Sequence, residues 1–212
     1  MIDETAQRVL GLGGRAQTLV VTVAEQVDAM RQELRALPRA NFIAEPQGKN
    51  TAPCIGLAAL EILRRDPDGV MVVLPADHWV KDGKEFQRVL KTAVDLAVRQ
   101  DRLVTIGIRP DYPETGYGYI MKGQAIAGRA ATFQVKRFTE KPNEANAKKL
   151  MRQGSLWNSG IFVWKAATLI ELLNRYQPEI GARLNAISAA AKGKSLGNPS
   201  VQLNAAIARE YK

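Results

Sequence analysis

Asp77 is the residue whose type and position most directly indicate chemistry. It stands in the string VMVVLPADHW (70–79), just beyond an apolar run that predicts a buried strand of a parallel sheet. In open α/β sheets, ligands bind at the carboxyl ends of the strands, so a carboxylate there is a candidate metal or substrate ligand. Taken alone, Asp77 is interpreted equally well as a cap on the following turn.

Four further polar strings also flank predicted strands. They are EPQGKNTAP (45–53), ETGYGYI (114–120), FTEKP (138–142) and LWNSGIF (156–162). Each has a purely structural alternative: a polar loop with Thr51 as helix cap, a β-bulge, a surface charge pair and an edge turn. Because all of them flank strands, we expect them to converge on one rim of the sheet. GLGG (11–14) follows a predicted helix and precedes a strand, the reverse of the order that phosphate binding requires, so it reads as a helix C-terminus.

Alternating strand and helix patterns must position these strings. Strands are predicted at 18–23, 41–46, 70–74, 102–108 and 161–164, with helices at 2–10, 25–37, 51–66 and along the apolar face from Phe86 to Ala97. Such alternation predicts a doubly wound α/β domain with a mostly parallel sheet. Two short β segments at about 117–121 and 132–138 form an excursion of the kind that borders ligand pockets. From Ala166 onward the pattern is mainly helical.

Composition limits the class of protein. The chain has 212 residues, for which one domain is the default, and no window approaches the roughly 18 apolar residues of a membrane span. It has no secretory signal and a single cysteine, Cys54, which together fit a soluble cytoplasmic protein. The net charge of +9 suits anionic partners. The basic residues are scattered over helices, which leaves nucleic-acid binding a weak alternative.

The order of the strings raises the specificity of the prediction. EPQGKNTAP, LPADH, PETGYGYI, EKP and WNSGIF closely resemble the mannose-1-phosphate guanylyltransferase family, with spacings that fit from about residue 2 to the C-terminus. The resemblance implies one nucleotidyltransferase domain over 1–212 with a Rossmann-like fold, the β excursion forming the sugar side of the pocket. It also implies transfer of GMP from GTP to mannose 1-phosphate, giving GDP-mannose and pyrophosphate. No nucleic acid or membrane is then involved, and a homo-oligomer is left open.

The resemblance also assigns roles to single residues. Asp77 is expected to bind Mg²⁺, Lys141 to face phosphate, and His78 to orient its loop. Asp77 and Lys141 are therefore the expected catalytic residues. The expected nucleotide-binding residues are Glu45, Lys49, Asn50 and Thr51, and the expected sugar-binding residues are Gly116, Tyr117, Glu140 and Asn158.

The chain also departs from the family pattern. The glycine-rich Gly-Gly-x-Gly-Thr-Arg loop that holds the triphosphate, and a second metal-binding aspartate in an Ile-Asp-Tyr-Ala motif, do not occur in it. We therefore expect a domain incomplete at both ends and poor activity from this chain alone. Two alternatives stay open: a non-catalytic sugar-nucleotide-binding or regulatory module, and a transferase for another sugar 1-phosphate. An oxidoreductase that uses GLGG would need a strand before Gly11, which the pattern lacks.

Overall fold

A computed structural model describes residues 1–197 and 201–211, which fall into two compact units. The first unit comprises Met1–Val104 and the chain from Val163 onward, and the second comprises Thr105–Phe162. The helices are α1 (Ile2–Gly13), α2 (Val27–Glu33), α3 (Thr51–Arg65), α4 (Gly83–Gln100), α5 (Glu144–Arg152), α6 (Ala166–Tyr176), α7 (Pro178–Ala191) and α8 (Val201–Glu210). The strands are β1 (Val20–Val23), β2 (Phe42–Glu45), β3 (Val70–Val73), β4 (Val104–Ile108), β5 (Tyr119–Ala125), β6 (Phe133–Thr139) and β7 (Leu156–Lys165).

The first unit is built from short apolar strands covered by amphipathic helices. β1 and β2 pair in parallel, from Val20 opposite Phe42 to Val23 opposite Glu45. Helix α3 packs against β1, β2 and β3, and also against α6 and α7. Its Leu57 is fully buried in a core shared with Ile43 of β2. This packing places the loop between β2 and α3 at the carboxyl end of the parallel pair.

The second unit is an antiparallel arrangement with one covering helix. β5 pairs with both β6 and β7, so that Tyr119 lies opposite Thr139 on one side and Trp157 on the other. β4 also pairs with β7. Helix α5 begins at an Asn143 cap whose side chain accepts a hydrogen bond from Asn146 N (3.0 Å), and it packs on β5. Tyr119 and Trp157 are buried beneath this helix, which fixes the residues that follow each of them.

The predicted α/β class is confirmed, and a helix or strand occurs at each predicted position, although several boundaries differ. Helix α1 continues to Gly13 rather than residue 10, β5 covers Tyr119–Ala125 rather than 117–121, and α5 was not predicted. Helix α2 ends at Glu33 rather than at residue 37, and β7 begins at Leu156 rather than at residue 161. Asn158 and Ser159 are polar, so a hydrophobicity pattern does not predict a strand there. Ser159 can nevertheless be buried, because its hydroxyl donates a hydrogen bond to Ile106 O (2.7 Å). The GLGG interpretation is correct, since α1 ends at Gly13 and Gly14 takes a φ of 74°.

None of the helices in the described part of the chain is long and apolar enough to cross a bilayer. The longest, α4, has 18 residues and carries charges along its exposed face. Its opposite, apolar face packs against β3 and α1.

A close approach between α6 and α7 gives a prediction about stability. A Cβ added at Gly181 would lie 2.7 Å from the Asn174 Cα and 3.0 Å from its N, which are backbone atoms that cannot move aside. We expect Gly181→Ala to lower the free energy of unfolding by about 1–3 kcal/mol in urea titrations. Gly83→Ala is the matched control, since nothing lies within 4 Å of its Cβ and alanine favours a helix. Equal urea midpoints for the two variants would contradict the close approach.

Candidate functional site

The loop between β2 and α3 presents a group of exposed polar side chains in the first unit. Lys49, Asn50 and Thr51 are all exposed. Thr51 is already helical, so the predicted Thr51 cap is wrong, and Asn50 occupies the cap position with an extended backbone (φ −56°, ψ 173°). The Asn50 side chain makes no cap hydrogen bond. The loop therefore offers an amide, a hydroxyl and an ammonium that capping does not engage, next to the amide groups of a helix N-terminus.

Glu45, the last residue of β2, differs from the loop residues that follow because its carboxylate faces inward. Its side chain is only 5% exposed, and Tyr211 Oη donates a short hydrogen bond to Glu45 Oε1. Gln47 Nε2 donates to the main-chain oxygen of Tyr211 (3.2 Å), so the loop is attached to the residue that follows α8 at two points. A direct contact between Glu45 and a nucleotide stays a prediction, while its observed contacts lie beneath the loop.

Cys54, which is half-buried, adjoins the buried pair of Glu45 and Tyr211. Burial, the Glu45 charge and a hydrogen bond to Glu45 raise the pKa of the Cys54 thiol from 9.0 to about 12. Burial and the hydrogen bond to Glu45 likewise raise the pKa of Tyr211. Both groups therefore stay protonated at neutral pH, as hydrogen-bond donors to Glu45. The cluster holds the loop and contributes no nucleophile.

The raised pKa predicts low thiol reactivity. At pH 8 we expect Cys54 to react with a disulfide reagent about 1000-fold more slowly than a free thiol, because a pKa near 12 leaves that much less thiolate. The folded state binds this proton more tightly than the unfolded state does. The contribution of the thiol to the free energy of unfolding is therefore fully present below pH 9 and declines as the pH rises above 9. A reaction rate that levels off near pH 9 would contradict the assignment. Glu45→Gln should lower the pKa and accelerate the reaction.

Asp77 lies in an exposed turn that begins beyond the end of β3 at Val73. The turn is attached to α1, because Thr5 Oγ1 donates to Ala76 O (3.2 Å) and Arg8 Nη1 donates to His78 O (3.4 Å). No residue in the described ranges forms a hydrogen bond or an ion pair with the Asp77 carboxylate. Its main chain is fixed on both sides while its carboxylate is left available to a ligand. His78 thus contributes its main-chain oxygen, through the hydrogen bond from Arg8, to the attachment of this turn to α1.

The donors around Asp77 limit the kind of metal ion that it could hold. Within 1–197 and 201–211 there is no group of three or more His, Cys, Asp or Glu side chains able to hold an ion by themselves. A lone exposed carboxylate such as Asp77 suits a hard cation that takes one or two carboxylates and completes its shell with water and phosphate oxygens. Asp77 therefore fits Mg²⁺ and does not fit a fully protein-bound transition metal.

Three of the predicted strings meet within the second unit. Lys141 N donates to Tyr117 O (3.2 Å), and Asn158 N donates to Gly118 O (2.7 Å). Glu140 lies over the same turn, since a Cβ placed on Gly118 would be 2.7 Å from Glu140 Oε2. The turn around Gly118, the end of β6 and the start of β7 are thus adjacent through main-chain hydrogen bonds.

The side chains at this junction carry complementary polar groups. Glu140 and Lys141 form an ion pair (Oε1 to Nζ, 3.9 Å) in which both side chains are more than half exposed, so the pair adds little stability. Lys141 also has a φ of 43°, which is uncommon for a residue with a side chain and is held by its bond to Tyr117. Asn158 Oδ1 accepts from Thr105 Oγ1 (3.2 Å), which directs its Nδ2 donors elsewhere.

An aromatic cluster lies at this junction. The rings of Tyr112 and Tyr117 both meet Trp157 edge-on, at centroid distances of 5.0 and 5.4 Å. Burial and a hydrogen bond to the Glu114 side chain raise the pKa of Tyr112. Trp157, which is buried, thus holds the two half-exposed tyrosines, one of which is the predicted sugar-binding residue Tyr117.

Sequence reasoning missed several residues of these two groups. Tyr211 contacts Glu45 across the first unit, and no local pattern predicts a contact between residues so far apart in the sequence. Cys54 directly follows the string that begins at Glu45, but an apolar-looking cysteine in a helix gave no sign of this contact. Tyr112 was not singled out from the sequence, and Glu114 appeared only as the first residue of ETGYGYI, with no role of its own. The available signal was the acid placed two residues before a glycine, a spacing that lets a side chain accept from the main chain of its own turn.

Comparisons with known proteins agree with this geometry. The chain matches the nucleotidyl transferase family over residues 1–198. A mannose-1-phosphate guanylyltransferase of Escherichia coli is 37% identical over 207 residues, which cover 96% of this chain and 43% of that protein. Another, from Escherichia coli strain K12, is 41% identical over 188 residues, covering 85% of this chain and 39% of that protein. The chain therefore spans less than half the length of these curated relatives.

A solved structure is also similar over most of the chain. It is described as a mannose-1-phosphate geranyltransferase from Thermus thermophilus, with a TM-score of 0.81 and 30% sequence identity. The match covers 92% of this chain and 56% of that one. This likeness confirms the Rossmann-like fold of the nucleotide-sugar transferase type.

Proposed function

Because the chain belongs to the nucleotidyl transferase family, we propose that it acts as a mannose-1-phosphate guanylyltransferase. A phosphate oxygen of mannose 1-phosphate attacks the α-phosphorus of GTP. One P–O bond forms, the bond from the α-phosphorus to the bridging oxygen breaks, and pyrophosphate leaves with GDP-mannose as the other product. The observation that carries the proposal is the hydrogen-bonded meeting of Tyr117, Gly118, Lys141 and Asn158. It occurs in a chain that is 37% identical over 207 residues to a named mannose-1-phosphate guanylyltransferase.

The first unit supplies the nucleotide-binding residues in this proposal. Lys49, Asn50 and Thr51 are exposed where the helix N-terminus also favours an anion or a hydrogen-bonding base edge. Glu45, at the start of this loop, is held by its hydrogen bond from Tyr211. A direct contact between Glu45 and the nucleotide is also part of the proposal.

Members of this family generally act with divalent metal ions, and we assign Mg²⁺ to Asp77. When bound, Mg²⁺ would neutralise charge on the phosphate oxygens. The Asp77 carboxylate would hold the ion, and the bonds from α1 to Ala76 and His78 would keep the loop in place. No general base is required, since the attacking phosphate oxygen is already ionised near neutral pH. The protein's work is then positioning and charge stabilisation.

The second unit supplies the sugar-binding residues. Glu140 accepts hydrogen bonds from sugar hydroxyls and Asn158 donates through Nδ2, while the main chain at Gly116 and Tyr117 lies along the sugar. An acid and an amide together discriminate between epimers, because the wrong hydroxyl arrangement leaves a polar group unpaired. Lys141 faces phosphate, where its ammonium is available because the ion pair with Glu140 is long and exposed.

Further assignments accompany this function as predictions. We propose GTP and mannose 1-phosphate as the partners and the cytoplasm as the location, with neither nucleic acid nor membrane involved. The scattered basic side chains are consistent with small anionic substrates. A homo-oligomer stays open.

The proposal is tested by following pyrophosphate and GDP-mannose with purified chain, GTP, mannose 1-phosphate and Mg²⁺. We expect product from this substrate pair, at a rate well below the ~1–10 s⁻¹ common among enzymes, because the sequence contains no Gly-Gly-x-Gly-Thr-Arg loop. Glucose 1-phosphate and UTP should be poorer substrates. Binding of GDP-mannose without any product would favour a non-catalytic module, and equal use of glucose 1-phosphate would favour another sugar specificity.

A further inference from the structure

The turn from Asp111 to Gly118 is organised around one carboxylate, that of Glu114. Gly116 N donates to Glu114 Oε1 at 2.7 Å. Thr115 N and the Tyr112 hydroxyl also contribute to holding the Glu114 side chain in its charged form. These bonds, with that of Gly116 first among them, lower the pKa of Glu114, so it is ionised at neutral pH. A charged carboxylate thus accepts a hydrogen bond from the main chain of its own turn.

The main chain of Glu114 is fixed as firmly as its side chain. Tyr119 is fully buried, and its hydroxyl donates to Glu114 O (2.9 Å). Glu114 N in turn donates to Tyr112 O (3.0 Å). Glu114 is therefore held at its amide, its carbonyl and its carboxylate. Such complete satisfaction is expected of a residue that determines the shape of a loop.

The residues that follow Glu114 in this turn include Gly116 and Tyr117, whose main chain is assigned to the sugar. Tyr117 O is used by Lys141 N, and Gly118 O by Asn158 N. Gly116 N is used by Glu114 itself and is not available to a ligand. If the carboxylate were removed, Gly116 would be released, and the turn would lose the constraint that places Tyr117 beside Lys141.

We propose that Glu114 is a positioning residue for sugar recognition, acting through the turn it fixes rather than by touching the sugar. This inference rests on the proposed function. It predicts that a substitution at Glu114 weakens binding of the sugar moiety and leaves binding of the nucleotide moiety nearly unchanged. A purely structural role would weaken both together.

The test compares the affinities of GDP-mannose and GDP by isothermal titration calorimetry. For Glu114→Ala we expect about a 10-fold weaker GDP-mannose affinity and less than a 2-fold change for GDP. Glu114→Gln retains an acceptor for Gly116 N, so it should recover most of the loss. Glu144→Gln is the matched control, since Glu144 is an exposed acid of the same unit whose side chain pairs with Lys148 on its own helix. It should bind both ligands as the unsubstituted chain does.

Near-ultraviolet circular dichroism provides a readout that needs no ligand. Tyr112 and Tyr117 contact Trp157, so loosening of the turn in Glu114→Ala should reduce the aromatic signal while the far-ultraviolet spectrum is unchanged. If the unsubstituted chain binds GDP-mannose and Glu114→Ala binds it equally well, the positioning role is overturned and the proposed function stands. If the unsubstituted chain binds GDP but no GDP-mannose, the sugar assignment fails, and this inference with it. Equal losses for GDP-mannose and GDP would also overturn it.

Discussion

Asp77→Asn is expected to lower the rate of GDP-mannose formation by about 100-fold or more and to abolish the effect of Mg²⁺ on GTP affinity. The carboxylate is exposed and makes no hydrogen bond or ion pair within the described ranges, so its removal should cost little stability. A neutral amide is a poorer ligand for a hard cation, and the charge that would hold the ion is lost. The measurements are the rate of product formation and GTP titrations with Mg²⁺ or with EDTA.

A control for Asp77 is available at the other end of the same strand. Asp68→Asn makes the same chemical change at an exposed position next to the amino end of β3, away from the edge where ligands bind. It should retain the rate and the Mg²⁺ effect of the unsubstituted chain. Loss of a metal ligand should lower the rate by more than about 3-fold. If the Asp77→Asn rate lies within about 3-fold of the rate of the unsubstituted chain, Asp77 is not a ligand of the metal ion.

Glu140→Gln is expected to weaken GDP-mannose binding by about 10- to 100-fold, the range for losing hydrogen bonds to a charged acceptor. The glutamine keeps the size of the side chain over Gly118, where a Cβ would lie 2.7 Å from Glu140 Oε2, so the junction should keep its shape. The loss arises because a neutral amide accepts more weakly from sugar hydroxyls. Calorimetric titration with GDP-mannose and with GDP separates the sugar from the nucleotide.

The same titrations distinguish Glu140 from a surface charge. GDP should bind Glu140→Gln as it binds the unsubstituted chain, and Glu144→Gln should show no change with either ligand. Unchanged GDP-mannose affinity in Glu140→Gln would show that the Glu140–Lys141 pair is only an exposed ion pair, the plain alternative for this string.

Much of the fold was predictable because the buried strands are runs of apolar residues and the amphipathic helices carry apolar residues at helical spacing. Apolar runs predicted β1 to β4, and the apolar face of α4 predicted that helix. The start of β7 was not predictable in this way. Asn158 and Ser159 belong to the strand because they bond to Thr105 and to the main chain of Ile106, which are partners distant in sequence. The shorter α2 likewise reflects tertiary packing, since Leu34 and Leu37 are buried outside the helix.

The candidate site was predictable to a different extent in its two parts. In the second unit, the strings around Gly118, Lys141 and Asn158 are adjacent, as the order of motifs suggested. In the first unit, Asn50 and Thr51 are exposed as expected, but Glu45 is turned inward by Tyr211 and Cys54. A carboxylate in a polar loop gives no local sign of such a partner. The direction of a side chain therefore depended on contacts that only the folded chain reveals.

The most direct test of the central claim is the affinity of the 212-residue chain for GDP-mannose compared with GDP-glucose, which differ in the arrangement of hydroxyls on the sugar. Isothermal titration calorimetry at one Mg²⁺ concentration gives both dissociation constants. We predict that GDP-mannose binds at least about 10-fold more tightly, a difference of about 1.4 kcal/mol, because Glu140 and Asn158 discriminate between the epimers. Equal affinities for the two sugar nucleotides, or no binding of GDP-mannose, would contradict the proposal that this chain recognises the mannose moiety.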